Sequence, residues 1–254
     1  MQKEVQPEEE RANELFFQLS SMDRRRILSE LQKENLKLNE TARRLDMTPT
    51  ETLRQLQRLT EAGLLEKMSD GRYRPTTYAL LVLETSTSLG FFSRYREYFL
   101  SHDASLLPHE FRVRLGELSG GALIMGTVET LNWVTEFFKR AEKKIDATVV
   151  GFEIQDEILR RRVQEGLKVR WLIDESFLPR AKSILHSDKR LPEMRAVPRV
   201  FGHIATTDKE AVLTLRRNDG SLSFDAFIGK DASFLRWAED LYAHEWEKAK
   251  PWYP

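Results

Sequence analysis

The chain has 254 residues, with 40 Lys and Arg against 40 Asp and Glu and no formal net charge. Hydrophobic residues at 41% and aromatic residues at 10% suffice for a packed core, which excludes global disorder. The absence of cysteine excludes a disulfide framework, a zinc finger, an iron–sulfur cluster and a thiol nucleophile. Neutrality excludes a histone-like protein that coats DNA by bulk charge, but leaves room for a small basic face.

No uncharged apolar run approaches the roughly 18–20 residues needed to span a bilayer. The longest, Ala79-Leu80-Leu81-Val82-Leu83, stops at Glu84, and the N-terminus lacks an apolar signal core. The expectation is a soluble cytoplasmic protein without a membrane partner. Residues 1–12 are polar and expected to be flexible. Residues 13–77 are expected to form a winged helix-turn-helix, 78–118 a helical connector and 119–254 an α/β domain. The fold class is thus mixed α+β and α/β.

Asp23 is expected to cap a helix carrying Ile27, Leu28 and Leu31 inward. A short helix follows over Asn39–Leu45. The next begins at Thr48-Pro49-Thr50-Glu51, where Thr48 suits the N-cap, Pro49 the first helical position and Glu51 a capping box. It ends before Gly63, a glycine placed to stop a helix. Ser69-Asp70-Gly71 between two short extended runs predicts a hairpin. Three helices and a hairpin in this order make a winged helix-turn-helix.

In that motif Leu56 and Leu59 face the core, with Thr52 near the same side. The opposite side is expected to present Thr50, Glu51, Arg54, Gln55 and Arg58 to DNA. Arg54 is the first choice for reading a base and Gln55 the second, while Arg58 suits a phosphate. Arg43 and Arg44 belong to the helix that crosses the DNA backbone. Arg72 and Arg74, two apart on a strand, share a face and suit phosphates or the minor groove. Arg24, Arg25 and Arg26 read as a solvated helix start. Residues 20–75 hold twelve basic and nine acidic side chains, an excess of three. That mild excess suits sequence reading better than tight non-specific binding. The plain alternative is a solvated helix surface.

The connector carries Ser101-His102-Asp103-Ala104-Ser105-Leu106-Leu107-Pro108-His109-Glu110-Phe111 and Arg114-Leu115-Gly116-Glu117-Leu118. Later come Phe227-Ile228-Gly229-Lys230-Asp231, Phe234 and Trp237. With these segments the chain resembles the archaeal winged-helix transcriptional regulators named for a methanogenesis and filament-formation regulator. The resemblance implies promoter binding, a homodimer and a C-terminal effector-binding domain of phospholipase D architecture. Ala79 departs from it, since the family usually has Gly after the wing.

From residue 119 apolar β-type runs alternate with amphipathic helical runs, which predicts a mixed sheet, parallel first and antiparallel late. Ala122-Leu123-Ile124-Met125 reads as a buried strand, and Leu222–Phe227 as a late one. A closing helix is expected between Asp231 and Ala249. The phospholipase D reaction needs a His, a Lys two residues on and an Asp five further. Here His203 is followed by Ala205 and Glu210, so the cation that neutralises developing phosphate charge is missing. The expectation is therefore a non-enzyme. A phosphodiesterase and an interaction adaptor stand as alternatives.

His102-Asp103 resembles half a metal site without the other ligands, and suits a cap or interhelical hydrogen bond better. No metal or cofactor is expected; Gly120-Gly121 lacks a phosphate-loop context. His109, His186 and His244 are isolated. A small-molecule effector is expected at the carboxyl ends of the strands. Its candidate residues are Met125, Thr127, Gly151, Phe152, Asp174, Glu175 and His203, with Trp133, Phe224 or Phe227 as walls. The partners expected are double-stranded DNA, a second copy of the chain and that effector.

Overall fold

Ser21, rather than Asp23, caps the helix that opens the helix-turn-helix, its side chain accepting from the Arg24 N–H. The computed structural model describes residues 8–149, 153–185 and 192–254. The chain divides into two compact units, Met1–Ser86 and Thr87–Pro254.

The N-terminal unit holds α1 (Glu8–Ser20), α2 (Met22–Lys33), β1 (Leu36–Lys37), α3 (Leu38–Leu45) and α4 (Pro49–Glu61), then β2 (Leu65–Lys67) and β3 (Arg72–Pro75). Helix α5 (Thr77–Arg94) follows the wing and contains the division between the units. Residues 8–12, expected to be flexible, lie within α1. Arg24, expected in solvent, is buried; its guanidinium donates to the Phe17 and Gln18 carbonyls at the end of α1. A cation on the last carbonyls of a helix meets the negative end of its dipole.

Apolar residues of α2, α4 and the wing close one small core: Ile27, Leu28, Leu31, Leu56, Leu59, Leu64 and Tyr73. Each buried aliphatic side chain there contributes about 1.5–3 kcal/mol. Ala79 sits inside α5 and is fully buried in the same core. Between α3 and α4 Asp46 takes a left-handed conformation at φ 54°, which makes the turn tight. Aspartate tolerates that region better than most residues. Thr48 caps α4 by accepting from the Glu51 N–H at 3.2 Å. The expected return half of the capping box is not made, because the Glu51 carboxylate turns to Arg54 and Gln55.

The C-terminal unit continues with α6 (Arg96–Ser101) and α7 (His109–Val113), separated by short turns. Next come β4 (Ala122–Ile124), α8 (Thr127–Arg140), β5 (Lys144–Val149), α9 (Glu153–Gln164), β6 (Lys168–Asp174) and α10 (Leu178–Leu185). The remainder is β7 (Glu193–Val197), β8 (Gly202–Thr207), β9 (Ala211–Leu215), β10 (Ala226–Gly229), α11 (Ala232–Lys248) and β11 (Lys250–Pro251). The sheet runs β11-β7-β6-β5-β8-β9-β10-β4. Strand β6 is parallel to both of its neighbours, β5 and β7, while the β5–β8, β8–β9, β9–β10, β10–β4 and β7–β11 pairs are antiparallel.

Strand alternation sends side chains to two cores. Trp171, Ile173, Ala205 and Val212 pack with Phe137 and Phe138 of α8. Leu172, Ile204 and Leu213 pack with Phe91, Tyr98, Phe227 and the α11 residues Trp237 and Leu241. The segment ending in Gly229-Lys230-Asp231 has a packing reason. A Cβ on Gly229 would lie 2.2 Å from Phe234 Cγ, and Asp231 caps α11 by accepting from the Ser233 and Phe234 N–H groups.

Two expectations change. The run Ala122–Met125 is the sheet's edge, with Ala122 and Met125 exposed rather than buried. Strand β10 starts only at Ala226; residues 221–225 are not strand, and Ser223 Oγ there accepts from the Asp225 N–H.

Candidate nucleic-acid interface

On α4 the buried residues are Thr52, Gln55, Leu56 and Leu59, a set spaced three and four apart. At about 100° per residue they span one face, and the opposite side carries Thr50, Leu53, Arg54 and Gln57. All four of these are exposed. Thr50 and Arg54 therefore stand where the sequence reading put them.

Gln55 does not. It is 4% exposed and clamped between Arg24, whose Nη1 donates to Gln55 Oε1 at 3.2 Å, and the Glu51 carboxylate. The physical reason is angular: position 55 lies only about 60° from the line through Thr52, on the core's flank. Gln57 holds the open position, and Leu53 is an exposed apolar residue between Thr50 and Arg54 that sequence reading missed. Arg58 is half-buried and makes no ion pair among the described residues.

Glu51 pairs with Arg54 at 2.8 Å, and that hydrogen bond holds the Glu51 carboxyl below the usual carboxylate range. Glu51 thus positions Arg54 instead of standing free to accept from cytosine. Arg43 and Arg44 are exposed; Arg44 pairs with Glu34, while Arg43 has no ion pair among the described residues.

In the wing Arg72 and Arg74 are exposed on one face, and Tyr73 between them is buried. Arg74 pairs with Glu66 at 2.7 Å and Arg72 with Asp70 at 3.5 Å. Strand β1 adds a cation the sequence did not announce: Lys37 stands directly opposite Arg72 in the antiparallel register. Like charges across a strand pair repel. Keeping them there makes physical sense where an anion relieves the repulsion. A two-residue strand carries no sequence signal of its own, so Lys37 could not be found by pattern.

The effector candidates are dispersed. Asp174 ends β6, and its carboxylate is fully engaged. It accepts from Ser176 N–H and Oγ, from Val200 N–H at 3.1 Å and from Arg216 Nη2 at 3.3 Å. His203 is buried on β8, donates from Nδ1 to the Thr148 carbonyl at 2.9 Å, and has its pKa pushed down to about 4 by burial. Neither is available to a ligand as the sequence reading required. Glu175 is exposed and Phe224 half-buried. Trp133 stacks on Phe137 at 5.2 Å, and Phe227 is core.

Met125 follows β4, five strand steps from β6, roughly 24 Å across the sheet. Gly151, Phe152 and His186 lie outside the described residues. His102 does what its sequence context suggested. Nδ1 bonds the Tyr98 carbonyl at 2.9 Å, and Nε2 accepts from Ser223 Oγ at 2.8 Å. No group of three or more metal-binding side chains occurs among the described residues.

Residues 19–67 match the model of a helix-turn-helix domain. The match covers α2 through β2 and includes the open face of α4. No curated protein sequence is significantly similar to the chain.

Among solved structures, the archaeal chromatin protein TrmBL2, described as showing a novel mode of DNA binding, is 16% identical with a TM-score of 0.44. That alignment covers 97% of this chain and 100% of the other. NucT from Helicobacter pylori is 13% identical with a TM-score of 0.42, over 52% of this chain and 98% of that one. An O-methyltransferase family protein from Burkholderia thailandensis is 16% identical with a TM-score of 0.23, over 73% and 64%. These distant likenesses do not establish the phospholipase D architecture expected of the C-terminal unit. Among the described residues no helix is long and apolar enough to cross a membrane.

Proposed function

We propose that the chain is a DNA-binding transcriptional regulator. It acts as a homodimer in the cytoplasm, and its C-terminal unit senses a small-molecule effector. The helix-turn-helix domain supports DNA binding. The single observation that carries the reading is the solvent-open stripe Thr50, Leu53, Arg54 and Gln57 on α4, beside the exposed guanidinium groups of Arg43, Arg72 and Arg74.

Helix α4 enters the major groove. Arg54 reads guanine through O6 and N7, Gln57 reads adenine, and Leu53 and Thr50 meet thymine methyls. Arg43, Arg44 and the wing hold the phosphates. A twofold pair of heads then wants half-sites about 34–36 Å apart, one turn of the duplex.

The C-terminal unit is a phospholipase-D-like sensor rather than an enzyme. Its one histidine at the motif position, His203, is buried and neutral, Ala205 stands where the phosphate-binding lysine belongs, and Glu210 is tied to Arg140 at 2.7 Å. Assay of bis-nitrophenyl phosphate should give no turnover that His203→Ala abolishes.

The decisive experiment selects genomic fragments bound by the full chain and measures their affinity by fluorescence anisotropy. Arg54→Ala should cost about 1–3 kcal/mol and relax preference at one base pair. Equal weakening on every sequence would make Arg54 a phosphate contact. No selected fragment at all would end the reading.

A further inference from the structure

An open cavity of about 600 Å³ in the C-terminal unit lies between the end of α5, α6 and the edge strand β4. Its size falls in the range of small-molecule sites. Its back wall is held by stacked rings and hydrogen bonds. The Tyr98 and His102 rings stack at 3.8 Å with 7° between their planes, and His102 is pinned through Ser223.

The wall's charges are spent on each other with one exception. Asp225 accepts from the Gly126 N–H at 3.2 Å and from Arg217 at 3.0 Å, and Arg96 pairs with Glu97. Arg94 is exposed and forms no ion pair among the described residues. The Tyr95 hydroxyl likewise makes no hydrogen bond among them. The opposite side is apolar: Leu123 is half-buried, and Met125 is 68% exposed. Methionine is flexible and polarizable, so Met125 can adapt its shape to an apolar body beside it.

We propose that this cavity binds a small organic anion with a flat apolar body. Arg94 and the Tyr95 hydroxyl hold the anionic group, and Leu123 and Met125 cover the body. The inference rests on the sensor reading of the C-terminal unit and moves its site from the strand ends near Asp174 to the β4 edge. It also suggests a route for the signal. Arg94 is the last residue of α5, and the same helix begins at Thr77, two residues after the wing strand.

The test uses the full chain and two probes. The first is 8-anilinonaphthalene-1-sulfonate, an aromatic sulfonate of this class; the second is uncharged N-phenyl-1-naphthylamine. The sulfonate should bind saturably at one per chain. Arg94→Gln should weaken it about tenfold while leaving the uncharged probe unchanged. Met125→Gln should weaken both. With ¹³C-methyl methionine, the sulfonate should shift the Met125 signal and leave Met22, Met47, Met68 and Met194 in place.

Equal affinity in the wild type and both variants, or methionine shifts that spare Met125, would overturn the proposal. No saturable binding would overturn it as well. DNA binding, measured separately on the same preparations by anisotropy, reports on the winged helix alone. Its loss would sink the regulator and leave the cavity result standing.

Discussion

In the winged-helix unit Arg43, Arg54, Arg72 and Arg74 stand on the surface, where nothing but solvent or an acidic neighbour meets them. In the C-terminal unit Asp146, Asp174, His203 and Glu210 are buried, and each is held by named partners. Buried ionisable groups in an α/β sheet invite a catalytic interpretation. Here the contacts of each group hold strands and turns together. The exposed charges are the ones left to do external work. Substitutions should therefore separate cleanly, with the buried set acting on stability and the exposed set on DNA.

The largest effect should come from Asp146. Its two oxygens take Arg170 Nε at 2.6 Å and Nη2 at 2.8 Å, while Arg170 also lies over the Tyr242 and Trp246 rings. Asp146→Ala leaves that cation without its carboxylate. The expected loss is about 3 kcal/mol, the low end for a buried pair, because Arg170 keeps 34% of its side-chain surface in water. Urea unfolding measures it, and DNA affinity at a temperature where the variant is folded should not change. A DNA defect of equal size would break the division between the units.

His203 should give an effect of similar scale that depends on pH. Its folded pKa, about 4, lies below the usual value of 6.5 because burial disfavours the charged ring. As pH falls from 6.5 to 4 the unfolded chain takes up a proton that the folded chain refuses, so stability drops across this window. The full difference amounts to roughly 3 kcal/mol. His203→Gln cannot titrate and should flatten that part of the curve. His102, also lowered by burial, keeps its slope of the same sign. Identical pH profiles for wild type and variant would show that His203 is open to solvent in the folded protein.

These two cases also show what the sequence made legible. Apart from α1 and β1, the order of elements in the N-terminal unit was readable where caps, periodicity and turn residues agree: Thr48, Gly63 and Gly71 each sit where their chemistry places them, as does Asp231 at the start of α11. The exposure of Arg54, Arg72 and Arg74 followed from spacing alone. What spacing could not deliver was partnership over distance. Asp174 looked available at a strand end until Val200 and Arg216 came to it from 26 and 42 residues away. Arg24 looked solvated because nothing local says that the end of α1 needs a cation. Gln55 was misplaced because, about 60° from the buried line through Thr52, it sits on the flank of that face, where Arg24 of another helix comes to it.

The two glutamines of α4 sharpen the same contrast at a smaller scale. Gln57→Ala should weaken operator binding by about 1 kcal/mol and relax preference at one base pair, without changing stability. Gln55→Ala should do the reverse. It leaves the buried Arg24 Nη1 without its acceptor, at a cost of about 1–2 kcal/mol in stability, with base preference kept. Thermal unfolding and fragment selection on both variants check it. A change of base preference in Gln55→Ala alone would mean that α4 turns its other face to DNA.

The wing should show the smallest change in affinity and the clearest salt signature. Arg72→Gln and Arg74→Gln each remove one exposed guanidinium, and neither touches the core residue Tyr73 between them. If both meet phosphates, each variant weakens operator and unrelated DNA alike. The slope of log affinity against log salt then becomes shallower by about 1 per contact. Lys37→Gln should behave like Arg72→Gln, because the two cations stand opposite each other and release counterions from one patch. Combining them should be less than additive, since each removal also relieves the repulsion the other feels. A loss confined to operator DNA, with the salt slope unchanged, would instead make the wing a reader of groove edges. That outcome would join the wing to α4 as a source of sequence preference.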